Sequence, residues 1–304
     1  MKEFKEIYDD IYMQLNKIYE TEIKQVNVEL NEKKSKFMIK QILINLIIIV
    51  FGFMFFKSSV LMFIVQLILF VVIINIAIYS VRFNKEQKQL SFKFKNCIIQ
   101  KLISKVFNEE CVLNIEKGIS ETEYNGDIYG DMYNRYSSSD LVILKENKLM
   151  FSEVLVKHYT RNGKSSSTVT VFEGIAGQKV LNKDINCNIS ILSNRLFMNN
   201  RVKLDSAEFE KYFDIKCDDK ILAVRFLTSD IMAIMVDLRE KYNCRFEFSI
   251  VNEKMYFRIS TYYNFFEVPN LKNGLNIEYF KKNTGMLLQI KKLTMLIDDV
   301  VKDI

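Results

Sequence analysis

The alternation of apolar and polar residues divides the chain into four regions. In residues 1–36, Phe4, Ile7, Ile11, Leu15 and Ile18 recur at spacings of three and four, with Tyr8, Tyr12 and Tyr19 beside them. That period predicts a long amphipathic helix. Glu3, Glu6, Asp9 and Asp10 sit in its first turns, where the helix dipole favours acids. The pattern then gives way to two apolar runs, residues 41–56 and 58–81, which carry no charge and meet at Lys57-Ser58-Ser59. As a helix the second run is about 36 Å long, enough to cross roughly 30 Å of hydrocarbon. The first reaches a similar length if residues 37–40 are included, with Lys40 extending to the headgroups. The expectation is a transmembrane hairpin with spans near 37–56 and 58–81, in which Asn45 and Asn75 could bond across the two helices.

Helical spacing resumes after the second run, through Leu90, Phe94, Ile98, Leu102 and Val106, and reads as a stalk. From about residue 111 the period changes. Residues 140–145 and 148–159 read as strands, Arg161-Asn162-Gly163-Lys164 as a turn, and residues 167–174 as the returning strand. Beyond them the sequence predicts a short strand at 202–204, a helix at 207–212 capped by Asp205 or Ser206, and a strand at 222–227. A helix at 230–242 capped by Thr228 or Ser229 follows, then a hairpin of residues 245–251 and 254–260 across Asn252-Glu253. Pro269, the only proline, precedes a last helix at about 277–301.

The expected fold class is therefore an α+β membrane protein: a two-helix transmembrane hairpin with long flanking helices and a cytoplasmic antiparallel-sheet α+β domain. Its parts are a cytoplasmic amphipathic helix (1–36), the hairpin (37–81), a stalk helix (82–110) and the cytoplasmic domain (111–304).

Charge placement sharpens that picture. The formal net charge is +6. Between residues 33 and 105 twelve Lys or Arg face one acid, Glu86, so the rest of the chain is net acidic. The basic residues flank the apolar block on both sides: Lys33, Lys34, Lys36 and Lys40 before it, Arg82, Lys85 and Lys88 after it. That asymmetry predicts both termini in the cytoplasm of a multi-pass inner-membrane protein, with membrane lipids among its partners. A nucleic-acid reader would carry its charge on the soluble domain, so no nucleic acid is expected. The apolar runs hold no acid or arginine, which argues against transport.

Candidate chemistry is sparse. Cys97, Cys111, Cys187, Cys217 and Cys244 are scattered without a C-x-x-C pair, which predicts reduced thiols. His158 is the only histidine and lies in a predicted strand. The stretch Tyr124-Asn125-Gly126-Asp127-Ile128-Tyr129-Gly130-Asp131 lacks the alternate oxygen ligands and closing glutamate of a calcium loop. Glu173-Gly174-Ile175-Ala176-Gly177 lacks the Gly-Lys-Ser/Thr of a phosphate loop. No catalytic residue, metal ligand or cofactor is expected from these patterns.

Several segments, in order, resemble the bacterial DUF3137 family of unknown function. They are the N-terminal helix and apolar hairpin, then Tyr133-Asn134-Arg135-Tyr136 followed by Asp140, then Phe151-Ser152-Glu153-Val154. Next come Thr170-Val171-Phe172-Glu173-Gly174, the run from Val202 through Asp205-Ser206-Ala207-Glu208-Phe209-Glu210 to Phe213, and Ala223-Val224-Arg225-Phe226-Leu227-Thr228. The likeness extends over most of residues 1–265. It implies an architecture and no catalytic residue.

The function expected is a membrane-anchored, non-enzymatic module that binds a protein or lipid partner at the inner face. The alternatives are a hydrolase-like enzyme, which convergence of Asp127, Asp131, Asp140 or Glu153 in a cleft would favour, and an assembly protein forming a homo-oligomer through hairpin and stalk.

Overall fold

The computed structural model describes residues 2–55, 61–125, 132–163, 165–193, 201–261, 265–269, 271 and 275–304. The Lys57-Ser58-Ser59 turn and the loop 126–131, with Asp127 and Asp131, lie outside the described residues, as do the side chains of Phe4 and Ile7.

Helix α1 (Lys2–Ile18) runs through a π-turn (Tyr19–Ile23) into α2 (Lys24–Phe55). Helix α3 (Leu61–Phe94) passes through a second π-turn (Lys95–Ile99) into α4 (Gln100–Phe107). The two long helices are antiparallel neighbours. Along them Lys34 Nζ donates to Gln87 Oε1 at 3.3 Å, Phe37 packs against Tyr79 and Phe83, and Asn75 Nδ2 donates to Asn45 Oδ1 at 2.7 Å.

Strands β1 (Cys111–Asn114), β2 (Arg135–Leu144), β3 (Leu149–Asn162) and β4 (Ser165–Val180) form a meander, with the short helix α5 (Glu121–Asn125) between the first two. Then follow β5 (Ile189–Ser193), α6 (Ala207–Glu210), β6 (Phe213–Cys217), α7 (Lys220–Phe226), α8 (Ser229–Tyr242), β7 (Arg245–Val251), β8 (Lys254–Ser260) and α9 (Ile277–Asp303). Among the described residues the strands make one eight-stranded antiparallel sheet, in the order β1-β2-β3-β4-β8-β7-β5-β6.

The large core lies between the sheet and the helices. It joins Leu15, Tyr19, Phe94, Ile98 and Leu102 to Phe151, Phe246, Phe248, Phe257, Leu287 and Ile297. Helices α1 and α2 are fastened to the start of α9 and the loop before it: Tyr8 Oη donates to the Ile277 carbonyl, and Asn27 Nδ2 to that of Leu271. A smaller cluster, Ile119, Tyr124, Val154, Val156, Phe172 and Ala176, packs separately under α5.

The α+β class and the antiparallel sheet agree with expectation; the membrane assignment does not. Among the described residues no helix is long and apolar enough to cross a membrane. That finding overturns the transmembrane hairpin of 37–81, with spans near 37–56 and 58–81, and the multi-pass inner-membrane location with it. The physical reason is visible in the helices. Each apolar run is one part of a longer helix whose other part is charged and folded onto the body, through Leu30 of α2 and through Phe83, Leu90 and Phe94 of α3.

Three local readings also change. Residues 222–227 were expected as a strand because Leu222, Val224, Phe226 and Leu227 are apolar. They lie in or beside α7, which Asp219 caps by accepting from the backbone N–H groups of Ile221 and Leu222. The segment 202–204 supplies a single bridge, Val202 to Ile215. Glu173-Gly174-Ile175-Ala176-Gly177 lies inside β4. Its glycines serve close packing: a Cβ at Gly174 would collide with the Ile259 carbonyl oxygen, and one at Gly177 with that of Met150.

Candidate functional site

Strand β2 is irregular where it crosses β3. Ser139 faces Glu153 and Val142 faces Phe151, so β2 carries one extra residue, a β-bulge. Asp140 occupies it with φ 58°, a conformation uncommon for a side chain larger than glycine's. Its backbone turns from β3 toward β1: Asp140 N–H donates to the Ile115 carbonyl at 3.2 Å, and Leu141 N–H to that of Lys117 at 2.8 Å.

The bulge aims the Asp140 carboxylate at the helical layer. Lys95, the first residue of the second π-turn, donates from Nζ to Asp140 Oδ2 at 2.7 Å, and both side chains are buried. Ser139 Oγ donates to the same oxygen at 3.3 Å. Asp140 Oδ1 has no hydrogen-bond partner among the described residues. Burial pushes the Asp140 carboxyl up from its ordinary value, opposed by Lys95.

Glu153 stands beside this pair on β3. Its Oε1 accepts from the Phe266 N–H at 2.6 Å, joining the sheet to the loop that leads into α9. Burial raises its pKa from about 4.5 to about 7; the Phe266 N–H and Lys95 pull it down, and Asp140 and Glu267 push it further up. These groups line a cavity of about 230 Å³ together with Ser137, Ser138, Glu173, Gly174 and Glu267. A carboxyl that titrates near neutrality next to a charge pair can accept or release a proton, or hold a counter-charge.

Asp140 and Glu153, two of the four acids named from sequence, are brought together; Asp127 and Asp131 lie outside the described residues. Lys95, Glu173 and Glu267 were missed as members of the site. Lys95 looked like one more basic residue of a flank, and only the bulge shows that it is buried against Asp140. His158 lies on β3 opposite Val169, in the arm of the β3–β4 hairpin. All five cysteines are free, and Cys187 Sγ lies 3.4 Å from Cys217 Sγ.

A second feature is the surface of α2 and α3. Ile39, Ile42, Leu43, Leu46, Ile47 and Val50 are exposed on α2, and Phe70, Ile73, Ile74, Ile78 and Val81 on α3. Below them stand the basic residues. Lys33, Lys36, Lys40, Arg82, Lys85 and Lys88 are exposed and Lys34 is half-buried. Lys36 pairs with Glu32, and the Arg82 guanidinium lies 5.3 Å from the Phe37 ring centroid.

With this geometry described, residues 170–301 match the family characterised as a protein of unknown function, DUF3137. Over that stretch the chain is similar to DUF3137 proteins. The DUF3137 match takes in the Phe172-Glu173-Gly174 segment and the segments around Phe209 and Phe226, and it continues through most of α9. Tyr133 to Asp140, Phe151 to Val154 and the N-terminal helices, which the sequence resemblance also included, lie outside it. Of the cavity residues, Glu173, Gly174 and Glu267 fall within the DUF3137 stretch, whereas Lys95, Asp140 and Glu153 precede it. No curated protein matches the chain. Among solved structures, the crystal structure of the mycobacterial trehalose monomycolate transport factor A, TtfA, aligns at 7% identity. The alignment covers 66% of this chain and 96% of that one, with a TM-score of 0.32, too low for the likeness to bear on fold or function.

Proposed function

We propose that the chain is a binding module whose α2–α3 arm takes an apolar protein or lipid partner. The observation that carries this reading is the set of exposed apolar side chains on both helices of the arm, among them Ile39, Leu43 and Val50 on α2 and Phe70, Ile73 and Val81 on α3. Apolar side chains left in water over more than a few hundred Å² mark interaction surfaces. Within the arm, Asn45 and Asn75 satisfy each other, so the outward faces carry the apolar area. The basic residues at its base add attraction for an acidic partner group.

Native mass spectrometry of the purified full chain tests the proposal. The chain should carry a bound protein or lipid, and Leu43→Glu with Ile73→Glu should strip it while the thermal unfolding of the folded body is unchanged. A double variant that keeps the same bound mass would overturn the proposal.

The cavity favours one other reading. Asp140 and Glu153 converge beside Lys95, and Glu153 titrates near 7, the arrangement a hydrolytic enzyme would use for proton transfer. A panel of ester, phosphoester and glycoside substrates tests it. Turnover lost in Glu153→Gln would support the enzyme, and no turnover across the panel would remove it.

A further inference from the structure

Between the two helices of the arm runs a groove of about 280 Å³. Its walls are mostly apolar: Phe37, Met38 and Ile42 from α2, Val72 and Tyr79 from α3. Met38, Ile42 and Val72 are exposed, so the groove opens to solvent along its length. Asn45 and Asn75, toward the tip, are bonded to each other at 2.7 Å. Charge is confined to the base. Residues 41–55 and 61–81 carry none. Arg82, one turn beyond Tyr79, holds its guanidinium 5.3 Å from the centroid of the Phe37 ring, which is itself a wall of the groove. Lys40 stands on the neighbouring turn of α2, and neither cation makes an ion pair among the described residues. Glu86, the one acid between residues 33 and 105, has its Oε2 buried. The groove is thus cationic at one end and hydrocarbon along the rest.

We propose that this groove takes a free fatty acid, its chain lying against Met38, Ile42 and Val72 and its carboxylate against Arg82. The inference rests on the reading of the arm as a binding surface and names one occupant of it. A carboxylate meets a guanidinium through two parallel N–H···O bonds, and Arg82 has both donors to give. The chain takes the exposed walls of the groove out of water, the contribution that grows with each methylene covered. A cationic amphiphile of the same length would bring like charge against Arg82 and Lys40. The volume of about 280 Å³ is below that of drug-sized pockets, which fits one chain better than the two of a phospholipid.

Titration calorimetry of the purified full chain with dodecanoate, kept below its micelle-forming concentration, tests the groove. The expected result is saturable one-to-one binding, about tenfold weaker with decanoate, which is two methylenes shorter. Dodecyltrimethylammonium, with the same chain and the opposite charge, should also bind about tenfold more weakly. Arg82→Gln should weaken dodecanoate binding by about tenfold, and Val72→Trp, which fills the groove, should abolish saturable binding. Arg82 is exposed, so if Val72→Trp fails to fold, Arg82→Gln decides the matter. No saturable heat with dodecanoate would overturn the proposal. So would equal affinity for decanoate or for the cationic probe, or affinity unchanged in every folded variant. Leu43 and Ile73, through which the wider binding role is read, do not line the groove. A bound mass lost in Leu43→Glu with Ile73→Glu, in a chain that ignores dodecanoate, would therefore sink the fatty acid alone.

Discussion

Lys95 Nζ stands 2.7 Å from Asp140 Oδ2, and that buried pair fastens the end of α3 to the bulge of β2. Removing one partner of a buried pair leaves the other charge uncompensated. Lys95→Met should therefore cost about 3–5 kcal/mol in urea unfolding followed by circular dichroism. The double variant Lys95→Met with Asp140→Asn should cost less than the sum of the two single changes. A loss under about 1 kcal/mol for Lys95→Met would show that the pair does not hold helix and sheet together.

Glu153 should make stability fall as pH rises. Its carboxyl titrates near 7 in the folded chain and near 4.5 when unfolded. Between those values the folded state holds a proton that the unfolded state has released. The group's contribution is thus fully present below about pH 4.5 and is lost as pH approaches 7, an effect on the order of 3 kcal/mol. Glu153→Gln should flatten this part of the stability–pH curve and stabilise the chain at pH 8. An unchanged curve would contradict the assignment.

Gly174 and Gly163 should respond differently to alanine. A Cβ at Gly174 meets the backbone of Ile259, Ser260 and Thr261, where nothing yields without moving β8. Gly174→Ala should cost more than about 2 kcal/mol. Gly163 has φ +61° in the β3–β4 turn and open space around it, so Gly163→Ala should cost only about 1 kcal/mol of backbone strain. Thermal melts of the two variants check the order.

Cys187 and Cys217 lie 3.4 Å apart, and burial together with Cys187 pushes the Cys217 thiol up to about 12. Cys217 should alkylate slowly at pH 8, since little thiolate forms. Diamide should nevertheless join the two sulfurs, seen as the loss of two hydrogens in the intact mass and of that loss in Cys217→Ser. Rapid alkylation of Cys217 at pH 8 would contradict the burial.

What was legible in the sequence was periodic. The hairpin β7–β8 agrees residue for residue with the strands expected at 245–251 and 254–260, and α8 starts at Thr228, one of its two expected caps. The strand expected at 222–227 failed because Asp219 caps the helix α7 over apolar residues that also suit a strand. Strands β5 and β6 were missed, being five residues each. Within the described residues the apolar runs are helical, as expected, but their length invited a membrane reading that the structure contradicts. The cavity was half visible. Asp140 and Glu153 were named as acids that could converge, but Lys95 arrives from a helix 45 positions earlier in the chain, through a π-turn and a bulge that no local pattern announces.

The central claim is that the α2–α3 arm is the binding surface. Photo-crosslinking in cells from benzoylphenylalanine placed at Leu43 and at Ile73, with Thr168 on the exposed β4 ribbon as control, tests it most directly. The account predicts a discrete adduct from residues 43 and 73, identified by mass as protein or lipid, and none from residue 168. No adduct from the arm, or the same adducts from residue 168, would contradict it.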